Sequence, residues 1–502
     1  MIIQGKEVKE KLLEGINLVA NTVKPTLGPQ AKTVILQGNP PVIVNDGVTI
    51  TKYVSHPDQY VQMGVQMVQN LASKAQDSSG DGTTTACILA QALCNEIAIP
   101  ANTDKYTTHE MYHLIENFKV EMITSLNNLS KRVTDDEIKD VATIAANNDE
   151  ALGSLIAQAI AKVGREGIVT VEESKSHVTE LILREGMQLT EGYISHLMAN
   201  TDNGKTIFEN PLIFMSNLKF RNFKDIIAML EFASQQSRPL VIFCKGMDGS
   251  ALNNLIMNIM NKTVECAVVL APNFGDQQLD ELGDIKCMVG GTIFTEESKD
   301  SASSFVASDF GECDRIVISK ERTIIVGGEG NTEDRISYLK EQSKEMEGFE
   351  VSRLHSRIAR LKGGVATIKV GASSSMEMLE KKERLDDALN ATKAGLEEGI
   401  IVGGGVGLMK ALMGLPVSLK ATVPSWLVGA MHSPHITLFH NSNRKATVFD
   451  GKLGFNAKTG KMEDLEEAGV YDPVKVTKNS LLAALSIAQL FYSTEVAVLV
   501  EE

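Results

Sequence analysis

Apolar residues recur at intervals of three and four over much of the chain, and this spacing predicts amphipathic helices. The first such helix carries its apolar face at Val8, Leu12, Ile16, Val19 and Val23. The same spacing predicts a helix over about residues 63–75 and another from the threonines at 83–85 to about residue 96. The sequence from there to about residue 128 is also predicted to be helical. The N-terminal quarter of the chain is therefore expected to be mostly helical.

Several short segments instead have the composition of strands. "KTVILQ" and "PVIVN" flank Gly38, Asn39 and Pro40, and β-prone runs on either side of a turn predict a hairpin. Farther along, "GIVTVEE" and "TELILREG" also read as strands. We expect these strands to be minor additions to a helix-rich N-terminal region.

Between about residues 185 and 364 the pattern changes to short apolar runs beside helical segments. "PLVIFCK" at 239–245 and "ECAVVLAP" at 265–272 are typical of buried strands. Long helices are predicted over about residues 332–361 and 376–397. Because helical text returns at the C-terminal end, we predict a multidomain, α-rich α+β protein whose terminal segments form one domain with an α/β domain inserted in it.

The segments "FKDIIAMLEFA" and "SALNNLIMNIMN" predict helices with hardly any polar face. A surface helix needs one apolar stripe, whereas these segments carry apolar residues nearly all round. Two interpretations remain open. Either the helices are fully buried, or they present an exposed apolar patch, for which methionine is suited because it is flexible and polarizable.

Length, charge and cysteine content narrow the class of protein. A chain of 502 residues is too long for one ordinary core, so two to four domains are expected. The net charge of −15 argues against a nucleic-acid-binding surface, which needs clustered lysine and arginine. The six cysteines form no CxxC motif, which favours buried thiols in a reducing compartment. No run approaches ~18 apolar residues and the N-terminus lacks a secretory pattern, so we expect a cytoplasmic protein without a membrane span.

Three glycine-rich turns, "TLGP", "GDGTTT" and "VGGGVG", are the main candidates for ligand binding. Glycine lets the backbone approach a phosphate closely, and a helix N-terminus offers free N–H groups. In "GDGTTT", donors from Thr83 to Thr85 fit a phosphate, and Asp81 fits Mg²⁺, which takes few carboxylates. The alternative for this motif is a capped tight turn without a ligand. Asp386 and Asp387 are neighbouring carboxylates on a predicted helix, so one can face a site while the other meets solvent. The alternative for this pair is a solvated helix face without a site.

Longer stretches of text carry a resemblance that no single motif would support. They include "VKPTLGPQAKTVIL", "MGVQMVQNLASKAQDSSGDGTTTACILAQAL", "RIARLKGGVATIKVGA", "KKERLDDALNATKAGLEEGIIVGGGVGL" and "AGVYDPVKVTKNSLLAALSIA". These segments resemble a group I chaperonin of the GroEL family, in the family's order and over nearly the whole chain. The chain is therefore identified as a divergent member of that family.

The resemblance implies a chaperonin fold of three domains. A mainly helical equatorial ATP-binding domain would span residues 1–127 and 398–502. A small α+β intermediate hinge domain would span 128–184 and 366–397, and an α/β apical domain that binds clients would span 185–365. The implied activity is hydrolysis of ATP to ADP and phosphate, coupled through domain movements to the capture of non-native proteins and their folding in a ring cavity.

The resemblance also implies cofactors and partners. The cofactors are ATP, Mg²⁺ and K⁺. The partners are further copies of the chain in a seven-membered ring, single or double, unfolded client proteins and a co-chaperonin lid, while no nucleic-acid or membrane partner is expected. The alternative function is a nucleotide-gated ring that holds clients or acts as a scaffold without productive folding.

The family's functional positions carry over residue by residue. Asp387 matches the carboxylate that positions the attacking water, Asp46 matches a second acid near the γ-phosphate, and Asp81 matches the Mg²⁺ ligand. The resemblance also implies a K⁺ site near Thr26, the first of the residues expected to bind the nucleotide. Those residues are Thr26, Leu27, Gly28, Pro29, Asn45, Asp81, Gly82, Thr83, Thr84, Thr85, Gly404, Asn456, Ala457, Lys458 and Asp472. The implied client-binding residues are Tyr193, Ser195, Leu197, Met198, Ile227, Leu230, Leu252, Ile256, Met257 and Asn258.

The chain departs from the family pattern at several positions. Asn45 stands where the family usually has lysine, and Lys458 replaces a small residue beside the base. Glu191 and Ser375 occupy positions that in the family make an Arg–Glu contact between subunits, so that contact does not carry over. The stretch from about residue 412 to 448 resembles the family poorly.

Overall fold

The computed structural model describes residues 2–37, 42–165, 167–174, 176–201, 203–295, 305–328, 330–346, 349–447, 449 and 451–499. The chain forms two compact units. The first unit comprises Met1–Gln158, Val171–Glu180 and Lys369–Glu502, and the second comprises Ala159–Thr170 and Leu181–Ile368. One unit is thus built from both ends of the chain and the other is inserted in it, while the finer division into three domains stays a prediction.

Helices dominate the first unit and are interspersed with strands in the second. In chain order the α-helices are α1 (Lys6–Val23), α2 (Gly47–Tyr53), α3 (Gln59–Ser79), α4 (Thr83–Ile97), α5 (Pro100–Thr103), α6 (Thr108–Leu129), α7 (Asp135–Ala145), α8 (Glu150–Val163), α9 (Lys224–Gln235), α10 (Gly249–Met260), α11 (Asp276–Val289), α12 (Glu333–Glu345), α13 (Phe349–Lys362), α14 (Ser375–Glu398), α15 (Val406–Gly414), α16 (Val417–Lys420), α17 (Ser425–Ala430), α18 (Ser433–Asn441) and α19 (Val474–Ser493). Among the described residues, no helix is both long and apolar enough to cross a membrane.

The strands are short in the first unit and form two larger sheets elsewhere. They are β1 (Ile2–Gln4), β2 (Val34–Leu36), β3 (Val42–Val44), β4 (Ile168–Glu173), β5 (Glu180–Leu189), β6 (Thr206–Glu209), β7 (Leu212–Ser216), β8 (Lys219–Phe220), β9 (Leu240–Cys244), β10 (Gly246–Met247), β11 (Cys266–Leu270), β12 (Ile293–Phe294), β13 (Gly311–Glu312), β14 (Arg315–Ile318), β15 (Thr323–Val326), β16 (Gly364–Val370), β17 (Ile400–Val402), β18 (Gly454–Asn456), β19 (Lys461–Glu463), β20 (Tyr471–Pro473) and β21 (Val496–Val498).

The core of the first unit lies among α1, α3, α4, α6 and α19. The apolar face predicted for α1 is buried along its whole length, so that prediction is confirmed. Two glycines let α1 and α3 approach closely, because a Cβ on Gly15 would lie 2.2 Å from Val61 O and one on Gly64 would lie 2.2 Å from Leu12 O. The two ends of the chain meet in this unit, where β1 pairs antiparallel with β21.

The predicted hairpin is present as β2 and β3, which pair antiparallel from Val34↔Val44 to Leu36↔Val42. Its predicted turn, Gly38 to Pro40, lies outside the described residues. "GIVTVEE" and "TELILREG" form β4 and β5, as expected. The multidomain, α-rich fold class that the sequence predicts is therefore confirmed.

The second unit is built around two sheets. One has the order β11-β9-β7-β12, with parallel pairing along this path, and β13 pairs antiparallel with β7. β9 and β11 come from "PLVIFCK" and "ECAVVLAP", and β9 is buried at every position. The other sheet has the order β4-β16-β5-β15-β14-β6. Buried runs in parallel strands covered by helices are typical of an α/β arrangement.

The helix predicted over about residues 332–361 is two helices, α12 and α13. Met346 at the end of α12 has an extended backbone, with φ −112° and ψ 161°, so it does not continue the helix. The second long prediction, over 376–397, corresponds to α14.

Candidate functional site

A cavity of about 260 Å³ in the first unit collects residues that are far apart in the sequence. It is bordered by the loop after α1, the turn between α3 and α4, one face of α14 and the turns next to β18 and β20. The predicted nucleotide-site and catalytic residues that line it are Thr26, Leu27, Gly28, Pro29, Asn45, Asp46, Asp81, Gly82, Thr83, Thr84, Thr85, Asp387, Gly404, Asn456, Ala457 and Asp472. This cavity is therefore the candidate site.

The loop 26–29 forms one wall of the cavity. α1 passes into a short 3₁₀ turn with a proline in its first positions, which ends the regular helix. Asn441 at the end of α18 donates its side-chain N–H to Lys24 O and to Leu27 O, both at 2.9 Å. Gly28 has φ 82°, and a Cβ there would lie 2.3 Å from a leucine side chain of α18. Glycine is therefore required for this loop to lie against α18.

The turn "GDG" and the start of α4 form the adjoining wall. Gly80 and Gly82 have φ 68° and 88°, and Gly82 is the N-cap of α4 without any side-chain cap hydrogen bond. None of the three threonines is therefore the cap, and the N–H groups of Thr83–Thr85 lack intrahelical acceptors. The Oγ1 atoms of Thr84 and Thr26 share a hydrogen bond of 3.2 Å, which joins the two walls. This arrangement favours the ligand interpretation over a simple capped turn.

Four aspartates border the cavity, and burial raises the pKa of three of them. Asp46 caps α2 by accepting from the backbone N–H of the residues two and three positions later, at 3.2 and 2.7 Å. Burial raises the pKa of Asp81 to about 6, and the charge of Asp46 adds to the increase. Burial also raises the pKa of Asp472 to about 6, with a contribution from Asp81. The pKa of Asp387 lies well above its usual range because of burial and the charges of Asp81 and Asp46.

Little positive charge offsets these acids. Arg384 is the one basic residue among the described residues that line the cavity, and it pairs with Glu380 and lies 3.8 Å from Asp149. Within the described parts of the chain, no three His, Cys, Asp or Glu side chains are grouped to hold a metal by themselves. Asn45 Oδ1 is buried there without a hydrogen-bond partner. This all-oxygen donor set fits Mg²⁺ or K⁺ bound with phosphate oxygens, because Mg²⁺ keeps several waters and takes few protein ligands.

The end of the cavity near β18 is held by hydrogen bonds to the backbone. His435 Nδ1 donates to Gly404 O at 2.8 Å, and burial lowers the pKa of this histidine. Gln30 Nε2 donates to Ala457 O at 3.5 Å, which links this end to the loop after α1. Asn456 Oδ1 accepts from the two backbone N–H groups that follow Ala457, at 2.9 and 3.4 Å. Hydrogen bonds therefore fix the segments that are predicted to surround adenine and ribose.

Lys458 is placed differently from the prediction. It does not line the cavity within the described residues, although Ala457 beside it does. Its Nζ lies 3.0 Å from Oε1 of Glu150, the first residue of α8. The opposite charge of Glu150 draws the ammonium group to the surface, so the expected position next to the base is corrected.

Three residues that sequence reasoning missed support the site. Gln76 on α3 donates to the Asp387 carboxylate and accepts from the Thr83 hydroxyl at 3.4 Å. Its position just before the "GDG" turn was the available sequence signal. Asn441 and His435, described above, lie in the stretch that resembles the family poorly, so no sequence signal pointed to them.

The residues predicted to bind clients lie in the second unit, on α9, on α10 and on the segment that includes the 3₁₀ turn His196–Met198. α10 packs against both of the other segments. Met257 is 58% exposed and Leu197 is also exposed. Those that are partly buried are Tyr193, Ser195, Ile227, Leu252, Ile256 and Asn258. Neither helix is fully buried, so the interpretation as an exposed apolar surface is favoured.

Two of the predicted client-binding residues do not reach this surface. Met198 is 2% exposed and Leu230 is 6% exposed. Both belong to the hydrophobic core of the second unit, and Met198 Sδ accepts from Val268 N–H at 3.4 Å. These two side chains support the exposed surface from below, which corrects their predicted exposure.

Comparison with known proteins places this fold in a family. The model of the TCP-1/cpn60 chaperonin family matches residues 19–498. Two crystal structures of the chaperonin gp146 from the bacteriophage EL 2 (Pseudomonas aeruginosa) in presence of ATP-BeFx are similar to this chain. Crystal form II has a TM-score of 0.75 at 20% sequence identity, covering 100% of both chains. Crystal form I has a TM-score of 0.68 at 20% identity, covering 100% of this chain and 99% of that chain. These structures share the fold, and the extent of the family match shows that the chain belongs to the TCP-1/cpn60 chaperonin family.

Proposed function

We propose that this chaperonin chain binds and hydrolyses ATP, captures non-native proteins on the apolar surface of its second unit, and promotes their folding in a ring cavity through domain movements. Membership of the family supports a chaperonin role. The crystals of the phage chaperonin with ATP-BeFx support nucleotide binding. The observation that carries the proposal is the joining of loops 26–29 and 81–85 in one cavity that Asp387 also borders.

The phosphates of ATP fit the wall made by these two loops. The first turn of α4 offers unpaired N–H groups and the positive end of the helix dipole, and the neighbouring threonine hydroxyls can donate as well. Adenine and ribose are proposed to lie toward Gly404, Asn456 and Asp472, at the other end of the cavity.

Asp81 and the residues near Thr26 are proposed to hold the cations. Asp81 would share Mg²⁺ with phosphate oxygens and waters, and the unpartnered Asn45 Oδ1 would lie near K⁺ beside Thr26. Bound Mg²⁺ would neutralise charge on the phosphates. The carboxyl group of Asp81 would then lose its proton more readily, because a nearby cation favours the charged form.

Asp387 is proposed to orient the attacking water and to accept its proton. α14 carries this residue within the proposed hinge segment 366–397, so its approach to the γ-phosphate would depend on domain movement. A proposed equatorial domain of 1–127 and 398–502, a hinge completed by 128–184, and an apical domain of 185–365 would couple hydrolysis to client handling.

Substitution of Asp387 tests the catalytic part of the proposal. Asp387→Asn should lower the turnover rate of ATP about 100-fold or more, because a general base contributes at least that much, while ATP affinity changes little. The matched control is Asp386→Asn on the same helix, since Asp386 does not line the cavity. Steady-state hydrolysis and equilibrium binding separate the two effects. An unchanged turnover rate in Asp387→Asn would overturn the assignment.

Client assays decide between productive folding and holding. The proposal predicts that the wild-type chain refolds a denatured client with ATP, whereas Asp387→Asn suppresses client aggregation without refolding. If the wild-type chain only suppresses aggregation, the holding or scaffold function is correct. Negative-stain images with and without ATP would count subunits and rings in the assembly.

A further inference from the structure

Two histidines stand one helical turn apart on the exposed side of α6. His109 and His113 are both exposed, and their Nε2 atoms lie 3.1 Å apart. The two rings are nearly perpendicular, with centroids 4.3 Å apart and an interplanar angle of 84°. The two ring nitrogens therefore lie close together on the exposed side of α6.

The helix holds this geometry firmly. α6 spans 22 residues and starts with a capping box in which Thr107 and Glu110 exchange hydrogen bonds. Its opposite face is anchored in the core of the first unit by Met111, Ile115 and Phe118. Positions four residues apart on such a helix stay neighbours, so little conformational entropy is lost when both side chains engage one ligand.

The separation of the two nitrogens matches that of two ligands on one metal ion. With metal–nitrogen bonds of about 2.0–2.1 Å and angles between square and tetrahedral, the nitrogens of two ligands lie about 2.9–3.4 Å apart. The observed 3.1 Å falls inside that interval. In the absence of metal the same separation allows an imidazole–imidazole hydrogen bond, in which one Nε2 carries the proton.

We propose that His109 and His113 form a two-imidazole chelate for a divalent transition-metal ion, bound strongest as Cu²⁺ and more weakly as Ni²⁺ or Zn²⁺. Binding releases the Nε2 proton, because a ligating histidine must offer its lone pair. Water completes the coordination shell, since no third His, Cys, Asp or Glu joins this pair among the described residues. We do not expect this site to bind Mg²⁺, because that ion prefers oxygen ligands.

The surrounding charges favour a cation without supplying further ligands. Glu110 lies close enough to His109, and Glu116 to His113, for their charges to interact. Both carboxylates already have partners, because Glu110 accepts from Thr107 and Glu116 pairs with Lys119. Their negative potential therefore attracts the metal ion while the two imidazoles bind it.

Calorimetric titration of the full nucleotide-free chain with NiCl₂ at about pH 7.5 tests the proposal, because a histidine that binds a metal must be neutral. His109→Gln and His113→Gln should each weaken Ni²⁺ binding at least about tenfold, because a chelate loses its advantage with either ligand. The double variant should lose little more than either single variant. Both residues are exposed, so the variants are expected to fold.

The matched control is His355→Gln, an exposed histidine on α13 with Val351 and Ala359 one turn away instead of a second histidine. This variant should bind Ni²⁺ as the wild-type chain does. A Ni²⁺-dependent rise in melting temperature should likewise be lost only in the two α6 variants. If His109→Gln keeps wild-type Ni²⁺ affinity, the pair is only a hydrogen bond and the proposal fails, whatever the ATPase assays show.

Discussion

At the scale of single residues, Gln76 shows how one neutral side chain connects parts of the candidate site. Its amide donates to the Asp387 carboxylate and to Gly80 O, the latter at 3.2 Å. Its carbonyl oxygen accepts from the Thr83 hydroxyl. The side chain thus joins α3, the glycine turn, the start of α4 and the proposed catalytic aspartate of α14.

Removal of these hydrogen bonds should affect turnover more than binding. Gln76→Leu keeps the side-chain size but leaves Asp387 without this donor, so kcat for ATP should fall about tenfold to hundredfold. KM should change less than kcat, because Gln76 acts through Asp387. Gln66→Leu, at an exposed position of the same helix, is the control and should keep the wild-type rate. Equal losses in Gln76→Leu and Gln66→Leu would contradict the positioning role.

We expect Glu383 to make the stability of the nucleotide-free protein depend on pH. Burial raises its pKa from an ordinary 4.5 to about 7, and the charges of Asp46 and Glu380 add to this increase. The folded chain therefore keeps a proton that the unfolded chain releases, so stability should fall as pH rises from about 4.5 to about 7.

Glu383→Gln should remove that loss. Above pH 7 the variant should be more stable than the wild-type chain by about 1–2 kcal/mol, a range that allows for solvent screening of this partly exposed group. Near pH 4 the two proteins should melt alike. Calorimetry across this pH range measures the difference, with Glu341→Gln on the exposed side of α12 as the control. If the stability of Glu383→Gln and of the wild-type chain changes with pH in the same way, the prediction is wrong.

At the scale of elements, one ion pair spans two segments that border the cavity. Lys458 follows the lining residue Ala457 in the turn after β18, and Glu150 begins α8, two residues after the lining residue Asn148. The pair therefore connects the end of the cavity proposed for the base with the segment between α7 and α8. If one segment moves relative to the other, the ion pair between Lys458 and Glu150 has to break.

Charge reversal tests whether the pair slows nucleotide release. Lys458→Glu and Glu150→Lys should each speed the release of a fluorescent ADP analogue about twofold to fivefold, the range set by the strength of exposed ion pairs. The double reversal restores an attractive pair and should return the rate toward wild type. Stopped-flow release measures this, and Lys6→Glu, which removes an exposed ion pair with Glu10 on α1 outside the cavity lining, is the control. Additive effects in the double variant would show that the pair is not involved.

At the scale of the whole molecule, the two units separate the proposed tasks. The cavity proposed to bind nucleotide lies within the first unit, and the exposed apolar residues of α10 lie within the second. A substitution in the second unit can therefore be tested for its effect on client capture, with ATP hydrolysis by the first unit as the internal control.

Met257→Glu should weaken client capture without changing basal ATP hydrolysis. The side chain is 58% exposed on α10, so a charge there disrupts apolar contacts with a client but costs little in folding. Binding of a denatured, labelled client measures the loss. Tyr338→Glu, at an exposed position of α12 in the same unit, is the control. Normal capture by Met257→Glu would mean that clients bind elsewhere.

The path from sequence to structure was reliable where short-range patterns decide the outcome. The face of α1, the strands β9 and β11 and the hairpin strands follow from apolar spacing, because burial selects that spacing directly. The single predicted helix over 332–361 was wrong, since one extended residue, Met346, is enough to divide it. Burial of Met198 and Leu230 could not be predicted, because their surroundings come from distant segments.

The sequence by itself determined the helix-rich fold class, the family resemblance and the glycine turns that are able to approach a phosphate. Only the tertiary structure brought loops 26–29 and 81–85 together with Asp387, because packing of α1, α3, α4 and α14 sets their distance. It also turned Lys458 toward Glu150 and placed Asn441 behind the first loop. The local sequence specifies the backbone conformation of each segment. A composite cavity instead depends on contacts between residues hundreds of positions apart, and those contacts exist only in the folded chain.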